Sequence, residues 1–162
     1  MAAAPRQFAD FRAALKAAYE EEISGEAFFA TLGRHFGGRA AEALELFAEI
    51  ERVTEAAIAP VARRHGLPDT PRDALRAEGA AEAQAVSTMG WHGFLDHVIA
   101  DYPAYVAEFT DLRDRAEGDD AAVLQTLVDH EQALLDFARA ERDASPASFA
   151  RLYRYLSGFA AT

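Results

Sequence analysis

The sequence predicts an all-α chain: a four-helix bundle of two helical hairpins joined by one long crossover and finished by a short C-terminal helix. Three observations predict it. Apolar residues recur at three- and four-residue steps over four long stretches, β-branched residues never gather into an alternating run, and the one long break in helical periodicity falls at 66–90. A chain of 162 residues, 51% hydrophobic and rich in Ala, Leu, Arg and Glu, suits one compact helical domain spanning 1–162.

The first helix follows Pro5. Phe8, Phe11, Leu15, Tyr19, Glu22, Glu26, Phe29, Gly33 and Phe36 share one stripe, and Gly37-Gly38 ends it. A second helix is predicted over 39–65, closed by Gly66 and kinked near Pro60, so that the first two helices form an antiparallel hairpin. In the crossover, LPDTP reads as a turn, Pro71 opens a short helix over 72–78, and 80–89 is weakly amphipathic. The third helix, 91–117, rests on Trp91, Leu95, Val98, Tyr102, Tyr105, Phe109 and Leu112, with a bend at Pro103. The fourth, from Asp119 or Asp120 to about Arg142, uses Leu124, Leu127, Val128, Glu131, Leu134, Leu135 and Ala138. Ser145-Pro146 reads as an N-cap before a last helix over 147–159, whose Phe149, Leu152, Tyr153, Leu156 and Phe159 dock on the bundle or on a second subunit of a homodimer.

Composition restricts function. A net charge of −11 disfavours nucleic acid and anionic membranes as partners. The absence of cysteine excludes disulfides, thiolate nucleophiles and cysteine-held metal clusters. No stretch is apolar enough to span a membrane and MAAAPRQFADF lacks a signal-peptide core, so a cytoplasmic protein is the expectation. No nucleophile elbow, phosphate-cradling loop or dinucleotide fingerprint occurs.

The chemistry lies in acids on apolar stripes. Leu44, Phe47, Ala48, Glu51, Glu55 and Ile58 form one face, and a carboxylate facing a core must be paired, protonated, hydrogen-bonded or metal-bound. Glu26 lies eleven residues before Gly37 and Glu51 thirteen after Gly38, which sets them level across the hairpin. Glu131 interrupts the fourth helix in the same way, with His130 beside it. Two accounts stay open: a metal site on Glu26, Glu51, Glu131 and His130, or acids paired to Arg34, Arg52 or Arg139 or sharing a proton. Glu22 and Glu55 read as the edge of the solvated face, and His35 and His65 as helix-end histidines.

Gly25-Glu26-Ala27-Phe28-Phe29, then Phe47-Ala48-Glu49-Ile50-Glu51, and Asp129-His130-Glu131 on the fourth helix resemble the rubrerythrin-like branch of the ferritin-like superfamily. The resemblance implies a ferritin-like bundle with a dinuclear iron or manganese cofactor and oxygen- or peroxide-handling oxidoreductase activity. It also implies an E-x-x-H motif on each of the second and fourth helices. Counting three on from Glu51 gives Thr54, and from Glu131 gives Leu134, so both histidines are missing; a third-helix glutamate is also wanting at the level of Tyr102 and Tyr105. His97, before a Tyr-Pro pair, is a second-line ligand candidate. The alternative is a metal-free ferritin-like scaffold that binds a small apolar ligand or a partner protein.

Overall fold

A computed structural model describes residues 4–159. Its helices are α1 (Phe11–Gly33), α2 (Gly38–Arg64), α3 (Arg72–Val86), α4 (Trp91–Asp114), α5 (Asp120–Arg142) and α6 (Ala150–Ser157), and no strand occurs among the described residues. The order of packing is a ring: α1 lies on α2, α2 on α5, α5 on α4, and α4 lightly on α1. Two hairpins with short turns therefore face each other as a helical bundle. α3 lies against α1, and α6 covers α5 and α2.

The core is split. One apolar cluster gathers Phe29, Phe47, Phe94 and Phe137; the other gathers Leu15, Ile58, Leu112 and Leu124. Between them each bundle helix carries buried polar groups: Glu22 on α1, Glu51 and Thr54 on α2, Glu108 on α4, and His130 and Glu131 on α5. α2 and α4 run through Pro60 and Pro103 without interruption, although each proline withholds the N–H that would bond the carbonyl four residues back.

Several boundaries differ from the sequence reading, among them the ends of α1, at Gly33 rather than Phe36, and of α4, at Asp114 rather than residue 117. α1 begins at Phe11, because Asp10 is extended and its carboxylate accepts the Ala13 N–H at 2.7 Å; residues 4–10 and Phe8 are not helical. The crossover helix does not stop at Glu78 but continues to Val86. Gly79, which looks like a breaker, is needed for close approach: a Cβ there would sit 2.0 Å from the Ser24 carbonyl oxygen of α1. The last helix starts at Ala150 rather than Ala147. The Ser148 hydroxyl donates to Glu141 at 2.6 Å and accepts from Arg39 at 2.7 Å, so this segment is held as a tertiary anchor outside the helix.

Docking of α6 follows from its face. Phe149 and Leu152 are buried, Tyr155 and Leu156 pack against the first cluster, and Tyr153 is left exposed. An eight-residue helix is too short to persist alone in water, so this packing sustains it.

Gly79→Ala is expected to lower stability by about 1–3 kcal/mol in urea unfolding, since overpacking outweighs the gain in helix propensity of about 1 kcal/mol. Equal or raised stability would show that the α1–α3 approach is not tight. Truncation before Ser145 is expected to lower the melting temperature. An unchanged melting temperature would mean that α6 adds nothing to the bundle.

Candidate metal centre

Three side chains from three helices converge in the polar layer. His130 of α5 is 1% exposed and lies between Glu22 of α1, 1% exposed, and Glu51 of α2, 6% exposed. His130 Nε2 is 3.2 Å from Glu51 Oε1, and Nδ1 is 3.4 Å from Glu22 Oε1. One donor atom from each of these three residues lies within 4.8 Å of the others. Glu131 Oε1 stands 3.7 Å from His130 Nε2. Glu22 Oε2, Glu131 Oε2 and His130 Nδ1 are buried and find no protein hydrogen-bond partner among the described residues.

The helices fix this arrangement through local sequence. Gly25 lets Glu51 reach inward: a Cβ on Gly25 would meet Glu51 Oε2 at 2.7 Å. Thr54, one turn beyond Glu51, returns its hydroxyl to the Ile50 carbonyl at 2.8 Å and lies 2.5 Å from the Tyr155 hydroxyl. Tyr155 also donates to the Thr126 carbonyl at 3.2 Å, and its ring centroid is 6.4 Å from that of His130. α6 thus fills the space beside Thr54.

Crowded, dehydrated acids hold protons more tightly. Burial, then the charges of Glu51 and Glu131, push the Glu22 carboxyl well above its ordinary value. Burial also pushes Glu131 up to about 8, against the opposing influence of His130. Burial disfavours the His130 imidazolium, but the Glu51 and Glu131 charges outweigh it and the pKa is raised. The layer therefore stores protons that a bound cation would displace.

A cavity of about 440 Å³ opens onto these carboxylates, lined by Glu22, Glu51 and Glu131 and by Phe28, Phe29, Tyr102, Tyr105 and Phe109. Arg6, Glu21, Glu82, His97 and Asp101 complete its lining. It gives small molecules a route to the polar layer. Burial, again the leading cause, raises the Tyr102 and Tyr105 hydroxyls, the latter to about 12, so both stay protonated donors at neutral pH.

The sequence-predicted residues are placed unequally. Glu51, Glu131 and His130 come together, whereas Glu26 does not join them: its carboxylate meets Arg76 of α3 at 3.2 Å. Glu22, read from sequence as solvated edge, is instead fully buried within the cluster. Height along the hairpin was a sound guide, but a four-residue step also turns a side chain by ~40°. That turn carries Glu26 towards α3. Glu55 keeps its outer position, paired to Arg72 at 2.9 Å and accepting from Tyr19 at 2.9 Å. Two of the arginines offered as partners pair elsewhere: Arg52 with Glu49 and Arg139 with Asp136. His97 lies 2.8 Å from Asp101 at the cavity lining and is not one of the three converging ligands. Sequence reasoning missed Tyr155 as a neighbour of the site; its place on the apolar side of the last helix was the one available signal.

No family model, curated protein or solved structure matches the chain.

Burying protonated acids gives stability a sign with pH. A carboxyl whose folded pKa is raised keeps its proton in the native state after the unfolded chain has lost it, so stability falls as pH rises from the ordinary 4.5 to about 8 for Glu131. The raised His130 acts in the same direction, its contribution being lost as pH rises through its folded value. Metal-free protein is thus expected to lose on the order of a few kcal/mol between mildly acidic and mildly alkaline pH, and Glu131→Gln to flatten that loss. Urea unfolding in chelator across this window checks it. An identical slope in the variant would remove Glu131 as a source.

Proposed function

We propose that this chain is a ferritin-like metal protein, with iron or manganese held by Glu22, Glu51 and His130 and with Glu131 beside them, acting as an oxidoreductase on oxygen or peroxide. The observation that carries the reading is the set of unpartnered buried donors, Glu22 Oε2, Glu131 Oε2 and His130 Nδ1, around a three-residue convergence. The donors fit the group. Carboxylate with imidazole suits iron and manganese, and leaving such atoms unpaired in a dry core is costly.

The ring order of the helices, with α3 as crossover, supports the ferritin-like plan. In that plan Glu131 stands for the glutamate of the second E-x-x-H, with Leu134 where its histidine would be and His130 beside it. Glu51 takes the glutamate place of the first, with Thr54 where its histidine would be. Each motif keeps its glutamate alone, and His130 stands 3.2 Å from Glu51 and 3.7 Å from Glu131. Tyr155 occupies the side vacated at Thr54, which narrows the layer towards the Glu22 side.

A bound iron or manganese would supply a Lewis acid and a one-electron couple. The chain's own groups set the conditions around it: Gly25 lets Glu51 approach, Glu131 holds a proton beside the donors, and the aromatic lining limits water. The second reading, a metal-free scaffold for a small apolar ligand, is favoured by the same aromatic cavity and by the His130–Glu51 hydrogen bond, which can close the network without a cation.

Protein purified without chelator is expected to contain iron or manganese, and Glu51→Gln to lose it together with the thermal stabilisation conferred by added Mn2+. Gly25→Ala is expected to weaken Mn2+ binding at least tenfold while the fold is retained, because the new methyl group displaces the Glu51 carboxylate. Metal analysis and calorimetry read both effects. Wild-type protein that binds no Mn2+ would leave the scaffold reading in its place.

A further inference from the structure

The cavity that opens onto the buried carboxylates is one-sided in what it offers a ligand. Glu21, Glu22, Glu51, Glu82, Asp101 and Glu131 all line it, against two basic side chains, Arg6 and His97. Both basic groups are already engaged, Arg6 by Glu21 and Glu108, and His97 by Asp101. The hydroxyls of Tyr102 and Tyr105 can donate or accept and so favour neither sign of charge. What the wall leaves over is acceptors: Glu21 Oε2, Glu22 Oε2 and Glu131 Oε2 are buried and without a protein partner among the described residues.

Of these acids Glu131 is the one left for a ligand. Glu22 belongs with Glu51 and His130 to the converging donor group, and Glu21 is held through its other oxygen by Arg6 at 2.5 Å. Glu131 is 7% exposed, and its Oε1 stands 3.7 Å from His130 Nε2, beyond hydrogen-bond range.

The apolar part of the wall is aromatic, built from Phe28, Phe29, Tyr102, Tyr105 and Phe109. Ring faces carry partial negative charge, so rings and carboxylates together select for cations. The chain shows this with a cation of its own. The half-exposed Arg6 guanidinium pairs with Glu21 while lying 5.8 Å from the Tyr105 ring centroid. The more buried stretch of wall, Tyr102, Phe109 and Glu131, repeats the combination of ring and carboxylate, and no second arginine or lysine in the lining fills it.

We infer that this cavity binds a protonated primary amine carried on a small aryl or alkyl body, with the ammonium group against Glu131 and the body among the rings. Its volume of about 440 Å³ is that of a small-molecule site, for which about 300–1,000 Å³ is usual. An ammonium group brings donors and no acceptor, which matches a wall of unpartnered oxygens. A carboxylate or phosphate ligand would instead meet a field of its own sign. That the amine is the substrate of the metal centre rests on the proposed function; that it binds does not.

Titration calorimetry on the full chain, in chelator and again with saturating Mn2+, tests this with 2-phenylethylamine, its neutral analogue 2-phenylethanol and the anion phenylacetate. The amine is expected to bind about tenfold or more tightly than the alcohol in both conditions, and phenylacetate not to bind. Glu131→Gln is expected to bring the amine down to the affinity of the alcohol. Should that variant fail to fold, Tyr105→Leu is expected to weaken the amine about threefold more than the alcohol, and an equal effect on both counts against the inference. Alcohol and amine binding alike would overturn it in favour of a neutral apolar ligand. Amine binding that Mn2+ abolishes would place the ammonium in the Glu22–Glu51–His130 group and overturn the assignment to Glu131. Mn2+ binding without amine binding defeats this inference and spares the metal centre, whereas amine binding without Mn2+ binding upholds the site and defeats the metal reading.

Discussion

Everything in this bundle turns on how a layer of acid is kept inside a helical core. Glu22, Glu51, Glu108 and Glu131 are all buried, at one level between two apolar clusters, with His130 among them. Apolar side chains at those positions would be cheaper by several kcal/mol, because ions lose hydration on burial and regain it only through good partners. The layer therefore dictates what surrounds it: a glycine where Glu51 passes α1, an arginine on Glu108, and carboxyls that hold protons at neutral pH.

The elements outside the four-helix ring divide these acids into two groups. α3 brings Arg72 to Glu55 and Arg76 to Glu26, neutralising the outer acids of α1 and α2 with half-exposed ion pairs. The inner acids, Glu22 and Glu51, are left to His130. What distinguishes the groups is azimuth rather than chemistry, since Glu22 and Glu26 are one turn apart on the same helix. The crossover thus neutralises the outer acids as well as connecting the hairpins, and Gly79 is what brings it close enough to α1.

Much of the fold was legible because helical stripes record which side of each element is dry. The four long helices and the crossover could be placed from periodicity, with the first turn set three residues late at Gly37-Gly38, and Glu51, Glu131 and His130 stood out as polar residues on such faces. Glu22 was misread because a stripe two acids deep does not say which acid meets a neighbour. That depends on where α3 lies, which periodicity does not encode. The same holds for Arg6 and Tyr155, whose partners are 102 and 101 residues away in sequence. The crossover helix was cut short at residue 78 because a glycine required by interhelical contact, as Gly79 is, and one required by a turn are the same letter.

The hydroxyl contact between Tyr155 and Thr54 also bears on the order in which the molecule is built. Thr54 leaves the ribosome with the second helix, and its partner follows 101 residues later. Until then Thr54 lacks this partner on the α2 flank of the acidic layer. Both hairpins are therefore synthesised before the segment that closes this flank exists.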